Sequence, residues 1–299
     1  MEFFFQVLVS GLLSGVMYSL VAIGFVLIYK ASGVFNFAQG SMVLAAALTF
    51  VSINEMGVSF WMSVGITLLV MVLLGILIER IALRPLVNAS LITLFMATVG
   101  LSSIIEGLTQ FVWGGEVHGL DLGIADVPLK ILERFGFEGF TVSQFDLFAA
   151  GIAAALVAAL ALFFNKTRTG MQLRAVADSP LAALSIGIPL ARMWAIVWAT
   201  AGIIALVAGL MWGARLGVQF TLSVVALKAL PVFVLGGFTS ISGAIIGGLL
   251  IGASENLGEI YLGDLIGNGI QNWIPYVVAL VILLIRPSGL FGEKTIVRA

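Results

Sequence analysis

Glu106 is the carboxylate set most deeply in a confident apolar run of this chain. An ionised acid at the centre of a membrane helix costs about 2.5 to 3.5 kcal/mol on insertion scales, so something must compensate it. Thr98, Ser102, Glu106 and Gln110 recur every four residues, which on a helix makes one slowly drifting polar stripe. Such a stripe either lines a wet pathway for a polar solute, meets another polar helix, carries Glu106 up to the outer interface in the last two turns, or buries it protonated as structural glue. A second polar island is Asn36-Phe37-Ala38-Gln39-Gly40-Ser41. Unwound backbone there offers free N–H and C=O groups to a substrate at membrane depth, with Asn36 and Gln39 as pathway or gate elements. The alternative is that these amides only cap the short helix that follows.

The other reactive residue types point away from catalysis. No GxxxxGKS/T, HExxH or GxSxG occurs, so the chain is read as a non-enzyme with no cofactor. There is no cysteine and one histidine, His118, which is read as a solvated outer-loop residue; no metal site is expected. Asp146, after Thr141 and Ser143, fits the first turn of a helix. Gly11 with Gly15, Gly243 with Gly247, and Gly248 with Gly252 form small-xxx-small pairs suited to close helix packing. The dense run that includes Gly236 and Gly237 marks an element in tight contact with a helix or subunit.

The elements that must hold these residues are set by composition. The 299 residues are 61% hydrophobic and 10% charged, with 35 glycines inside apolar runs and a net charge of -1. A soluble domain and a nucleic-acid partner are excluded; an all-α polytopic membrane protein is expected. Roughly 20 apolar residues cross a bilayer, and 5–29, 58–78, 91–113, 147–164 and 193–214 satisfy this. The first of these lacks a basic flank and is read as a retained span, with no targeting segment. The stretches 31–53 and 229–254 are broken, the first by its polar start, the second by Pro231 and the 236–243 run. A final span covers 270–285. Eight to nine crossings with discontinuous helices are expected, 216–235 crossing despite Lys228.

Arg80 and Arg84, then Lys166, Arg168, Arg174 and Arg192, then Arg286, Lys294 and Arg298 mark the inner side. The loop 114–142, with Glu116, Asp121, Asp126, Glu133 and Glu138 against Lys130 and Arg134, is placed outside. Glu255, Glu259 and Asp264 are read as a second outer loop. The inner loop 165–192 carries Leu173, Val176, Ala177, Leu181 and Leu184 at helical steps, with Pro180 between them. It either docks a soluble partner or lies on lipid headgroups.

These motifs together resemble the branched-chain amino acid ABC transporter permease family, over nearly the whole chain. The likeness rests on Asn36-Phe37-Ala38-Gln39-Gly40, Glu79-Arg80 with Arg84-Pro85, and Thr169-Gly170, Arg174-Ala175, Asp178, Ala182 and Gly187-Ile188. It continues through Gly236-Gly237, Ser240, Gly243-Ala244 and Gly247-Gly248 to Arg286-Pro287-Ser288-Gly289-Leu290-Phe291-Gly292. Ser41, Thr239 and Ser242 depart from the family pattern, where an acid, a glycine and a proline are usual. The resemblance implies a single permease domain over 1–299 in the bacterial inner membrane, paired with a homologous second permease. It further implies two cytoplasmic ATPases held through Gly170, Arg174, Ala175, Asp178, Ala182 and Gly187, and a periplasmic solute-binding protein. The implied cargo is leucine, isoleucine or valine, with urea or short amides as the alternative. Residue chemistry alone leaves a secondary transporter or a channel for a small polar solute open.

Overall fold

At Ser32 the first helix stops, at Gln39 the second begins, and this alternation of long helices with sharp breaks runs through the chain. The computed structural model describes residues 2–86, 89–124, 126–129 and 141–292. Lys130, Glu133, Arg134, Glu138, Lys294 and Arg298 lie outside them. The described helices are α1 (Glu2–Ser32), α2 (Gln39–Glu55), α3 (Phe60–Leu77), α4 (Leu91–Trp113), α5 (Gln144–Lys166), α6 (Arg168–Asp178), α7 (Pro180–Ser185), α8 (Leu190–Leu216), α9 (Val225–Gly236), α10 (Ile241–Ile266) and α11 (Ile274–Ile285). A π-helical turn, Ile78–Leu83, and a 3-10 turn, Arg84–Leu86, prolong α3, and 3-10 turns Phe220–Val224 and Ile270–Asn272 precede α9 and α11. Among the described residues the strands are β1 (Pro128–Leu129) and β2 (Val142–Ser143), an antiparallel pair.

Among the described residues six helices are long and apolar enough to cross a bilayer: Phe3–Ser32, Phe60–Leu86, Leu91–Trp113, Gln144–Lys166, Leu190–Leu216 and Ile241–Ile266. The chain is therefore an all-α polytopic membrane protein. The other apolar helices are shorter, because breaks cut the runs that contain them: α2 has 17 residues, and Phe220–Gly236 and Ile274–Ile285 fall below full length. The expected second outer loop is corrected: Glu255, Glu259 and Asp264 all lie on α10. Their charge hid the helix, yet Glu255 meets Lys228, and Glu259 accepts the N–H groups of Gly269 and Gln271 at 3.0 and 2.9 Å.

The chain folds as two units. In Gly24–Leu120 with Leu156–Ala226, α2 is buried along most of its length, as its lack of charge before Glu55 dictates. There α3 and α8 touch backbone to backbone, Gly75 against the Trp198 carbonyl and Gly202 against that of Met71. Trp194 of α8 donates its indole N–H to the Ala31 carbonyl at 3.1 Å.

The other unit is Met1–Ile23, Asp121–Ala155 and Leu227–Ala299. Pro231 lies inside α9 and has no N–H, so the Leu227 carbonyl four residues earlier loses its helical donor. Tyr276 of α11 replaces that donor with its hydroxyl at 3.0 Å.

Candidate functional site

The break before α2 is closed by its own polar side chains. Asn36 and Gln39 are both fully buried. The Asn36 Oδ1 accepts the Ala38 N–H at 3.1 Å, and its Nδ2 donates to Gln39 Oε1 at 3.1 Å. The Gln39 Nε2 points at the Ala201 carbonyl, 3.5 Å away, and packs on Gly24, where a Cβ would come within 2.6 Å. Thr98 of α4 completes the closure: its Oγ1 accepts the Phe37 N–H at 3.2 Å and stands 3.0 Å from the Phe35 carbonyl. Phe25 and Phe35 stack with centroids 5.0 Å apart, and Phe95 meets Phe37 edge-on. The amides thus spend their hydrogen bonds on one another and on nearby backbone.

The α4 stripe divides. Four residues advance a helix by 400°, so each step turns the stripe about 40°. Thr98 and Ser102 are buried, Glu106 is half-buried and Gln110 is exposed. Among the described residues, the Thr98 end of the stripe is the one bonded to the break, through the backbone of Phe35 and Phe37. Among the described residues no hydrogen bond or ion pair reaches the Glu106 carboxylate, whose backbone carbonyl accepts from Thr109.

The loop 165–192 holds two short helices, because Ser179-Pro180 restarts the chain. Ser179 ends α6 and its hydroxyl accepts the Ala182 N–H at 3.3 Å, with Pro180 in the first turn of α7. Thr167 caps α6 by accepting the Gly170 N–H at 3.0 Å, and Gly170 presses on the Phe163 and Phe164 backbone, leaving no room for a side chain. Leu173, Val176, Ala183 and Ile188 are buried beneath. On the outer face stand Met171, Leu184 and Ile186, with Leu181 81% exposed. Asp178, Ala182 and Gly187 are exposed, Ala175 is half-buried, and half-buried Arg174 donates to Asn165 Oδ1 at 3.1 Å.

The second break, 237–240, relies on backbone. A Cβ on Gly243 would overlap the Gly236 carbonyl, and one on Gly236 the Gly243 backbone. Gly247 approaches the Val232 carbonyl, Gly248 approaches Gly15, and Gly252 approaches Gly11 and Gly15, so the small-xxx-small pairs of α1 and α10 meet within this chain. Ser240 caps α10 through the Gly243 N–H at 3.0 Å. The ending 286–292 folds back here: Leu290 and Phe291 donate N–H groups to the Leu235 and Gly236 carbonyls at 2.8 and 3.2 Å. Gly237 and Gly289 hold φ of +94° and +76°, and their backbones touch.

Two ion pairs escaped the sequence reading. Lys228 on α9 bonds Glu255 on α10 at 2.8 Å, and the Tyr18 hydroxyl donates to the same carboxylate oxygen at 3.2 Å. The signal was available, since Lys228 is an unexplained cation in an apolar run. Glu79, fully buried in the π-helical turn, receives Arg84 through two N–H groups at 3.1 and 2.9 Å. His118 departs from the solvated-loop expectation. Its backbone exchanges two hydrogen bonds with Val218, and its Nδ1 lies 3.3 Å from Glu55, so the loop is tied down. Asp146, also buried, has its N–H accepted by the Ser143 hydroxyl at 3.0 Å.

Among the described residues the arrangement offers buried polar breaks, an exposed apolar face on α6 and α7, and a paired charge among helices. The profile of a family described as branched-chain amino acid transport system / permease component matches residues 7–286. The high-affinity branched-chain amino acid transport system permease protein LivH of Salmonella typhimurium is 27% identical, the alignment covering 98% of this chain and 97% of that one. A probable branched-chain amino acid transport permease protein LivH of Methanocaldococcus jannaschii is 31% identical over 91% of this chain and 88% of its own length. The fructose import permease protein FruG of Bifidobacterium longum is 26% identical, with coverages of 85% and 74%. With that profile spanning most of its length and its helices fit to cross a bilayer, the protein belongs to the branched-chain amino acid transport permease family.

Proposed function

We propose that this chain is one of two permease subunits of an ATP-driven importer that takes branched-chain amino acids from a periplasmic binding protein and passes them inward across the bacterial inner membrane. The observation that carries the reading is the α6–α7 element. Its inner residues are fixed to the body while Met171, Leu181, Leu184 and Ile186 stand out. An apolar knob on a loop rich in Lys and Arg is costly in water and fits the groove of a soluble partner. The partner in this reading is a cytoplasmic ATPase, a second copy of which engages the sister permease.

Orientation supports the same reading. Counting α2, Phe220–Gly236 and α11 with the six long helices gives nine crossings. With the N-terminus outside, Arg80 and Arg84, the loop 165–192 and Arg286 all fall on the inner side, as basic residues prefer. Asn36, Gln39, Ser102, Glu106 and Gln110 remain the proposed polar elements of the pathway, the first two as a gate that must unlock.

The test is co-purification with cytoplasmic ATPase subunits co-expressed with the permease. Leu181→Asp, Ile186→Asp, Arg174→Glu and Asp178→Lys are expected to lose ATPase while the permease itself purifies normally. Wild-type ATPase recovery in all four variants would contradict the docking role.

A further inference from the structure

Lys228 and Glu255 put a full pair of charges where the surroundings are apolar. Counting 1.5 Å per residue, Glu255 sits about 21 Å along α10, near the middle of its 26 residues. Tyr18 is likewise midway along α1. A buried ion pair is weak evidence for stability, because desolvation offsets the attraction. Nor is this pair needed as a staple. The contact of Gly236 with Gly243 already joins α9 to α10, and Tyr276 already ties α11 to α9.

The geometry leaves both charges incompletely used. One oxygen of Glu255 takes both the Lys228 ammonium and the Tyr18 hydroxyl. The other oxygen has no hydrogen-bond partner among the described residues. The ammonium has three donors, of which one goes to Glu255. Lys228 keeps 24% of its side chain exposed against 7% for Glu255. An ammonium open to hydrocarbon at this depth is expensive, so its open side faces water or a polar solute.

A cation and an anion side by side, each with spare hydrogen-bonding capacity, match one class of solute: a zwitterion whose carboxylate and ammonium sit on a single carbon. A neutral amide or sugar can hydrogen-bond to either group but brings no opposite charge to meet it. We propose that Lys228 and Glu255 receive the α-carboxylate and α-ammonium of an amino acid as it passes mid-membrane. This rests on the transport function proposed above and names the residues that would meet its amino-acid substrate.

The experiment reconstitutes the complete assembly, with ATPases, sister permease and binding protein, in proteoliposomes and counts labelled L-leucine imported per ATP hydrolysed. Two variants are compared with wild type. Lys228→Gln with Glu255→Gln keeps an amide-to-amide hydrogen bond without charge, and Lys228→Glu with Glu255→Lys keeps an ion pair of reversed polarity. Both are expected to lower the leucine-to-ATP ratio at least tenfold. A staple would change the quantity of working assembly but not this ratio. An unchanged ratio in the double amide, or a ratio restored by the reversed pair, overturns the inference. A wild-type assembly that hydrolyses ATP without importing leucine sinks the proposed function itself, and this inference with it.

Discussion

The break before α2 and the break before α10 both interrupt apolar helices, and they satisfy the freed backbone groups by different means. Before α2 the work is done by side chains: Asn36 bonds Ala38 and Gln39, and Thr98 reaches over from α4 to Phe37. Before α10 it is done by backbone: Gly236 lies on Gly243, and the returning chain at Leu290 and Phe291 fills the carbonyls that end α9. A lock of side-chain hydrogen bonds can be exchanged for water or substrate at modest cost. A glycine-to-glycine contact has no substitute partner. The first break is therefore the easier of the two to open, and the second is a rigid joint.

The largest expected effect tests the rigid joint. Gly243→Val places two methyl groups in the Gly236 backbone, and the loss should exceed about 3 kcal/mol. Thermal melting in detergent reads it, and a wild-type midpoint would show that the joint yields after all. Asn36→Ala comes next, since it strands the Ala38 N–H and the Gln39 amide in a buried site, at a cost of about 2 kcal/mol. Chemical denaturation of the purified permease measures this, and a loss as large as that of Gly243→Val would erase the distinction between the breaks.

Thr98→Val removes only the bridge from α4, and about 1 kcal/mol is expected. The same titration checks it. The smallest stability change belongs to Glu106→Gln, within about 0.5 kcal/mol, because no partner is lost. Its uptake rate should nevertheless differ from wild type, and equal rates would remove Glu106 from the pathway.

Much of the architecture was legible because crossing a bilayer imposes length and apolarity on each helix. The span 91–113 coincides with α4 at both ends, and both breaks fall where polar or glycine-rich runs predicted them. Charge misled the reading in one place. Glu255, Glu259 and Asp264 look like a loop until their compensation is known, and the partners of the first two are Lys228, distant in sequence, and the backbone N–H groups that begin the next element. Pairing of that kind depends on which helices are neighbours, which no local pattern encodes. The four-residue stripe of α4 was real as a pattern, yet its drift carries Gln110 away from Thr98, so period alone overstated how many of its residues share one face.

The central claim is that this chain moves solute only when energised by proteins on its inner face. Labelled leucine uptake should be measured in proteoliposomes holding the permease alone and holding the full assembly, each with and without ATP on the ATPase side. Accumulation only in the ATP-supplied assembly is predicted; equal uptake by the permease alone would contradict the account.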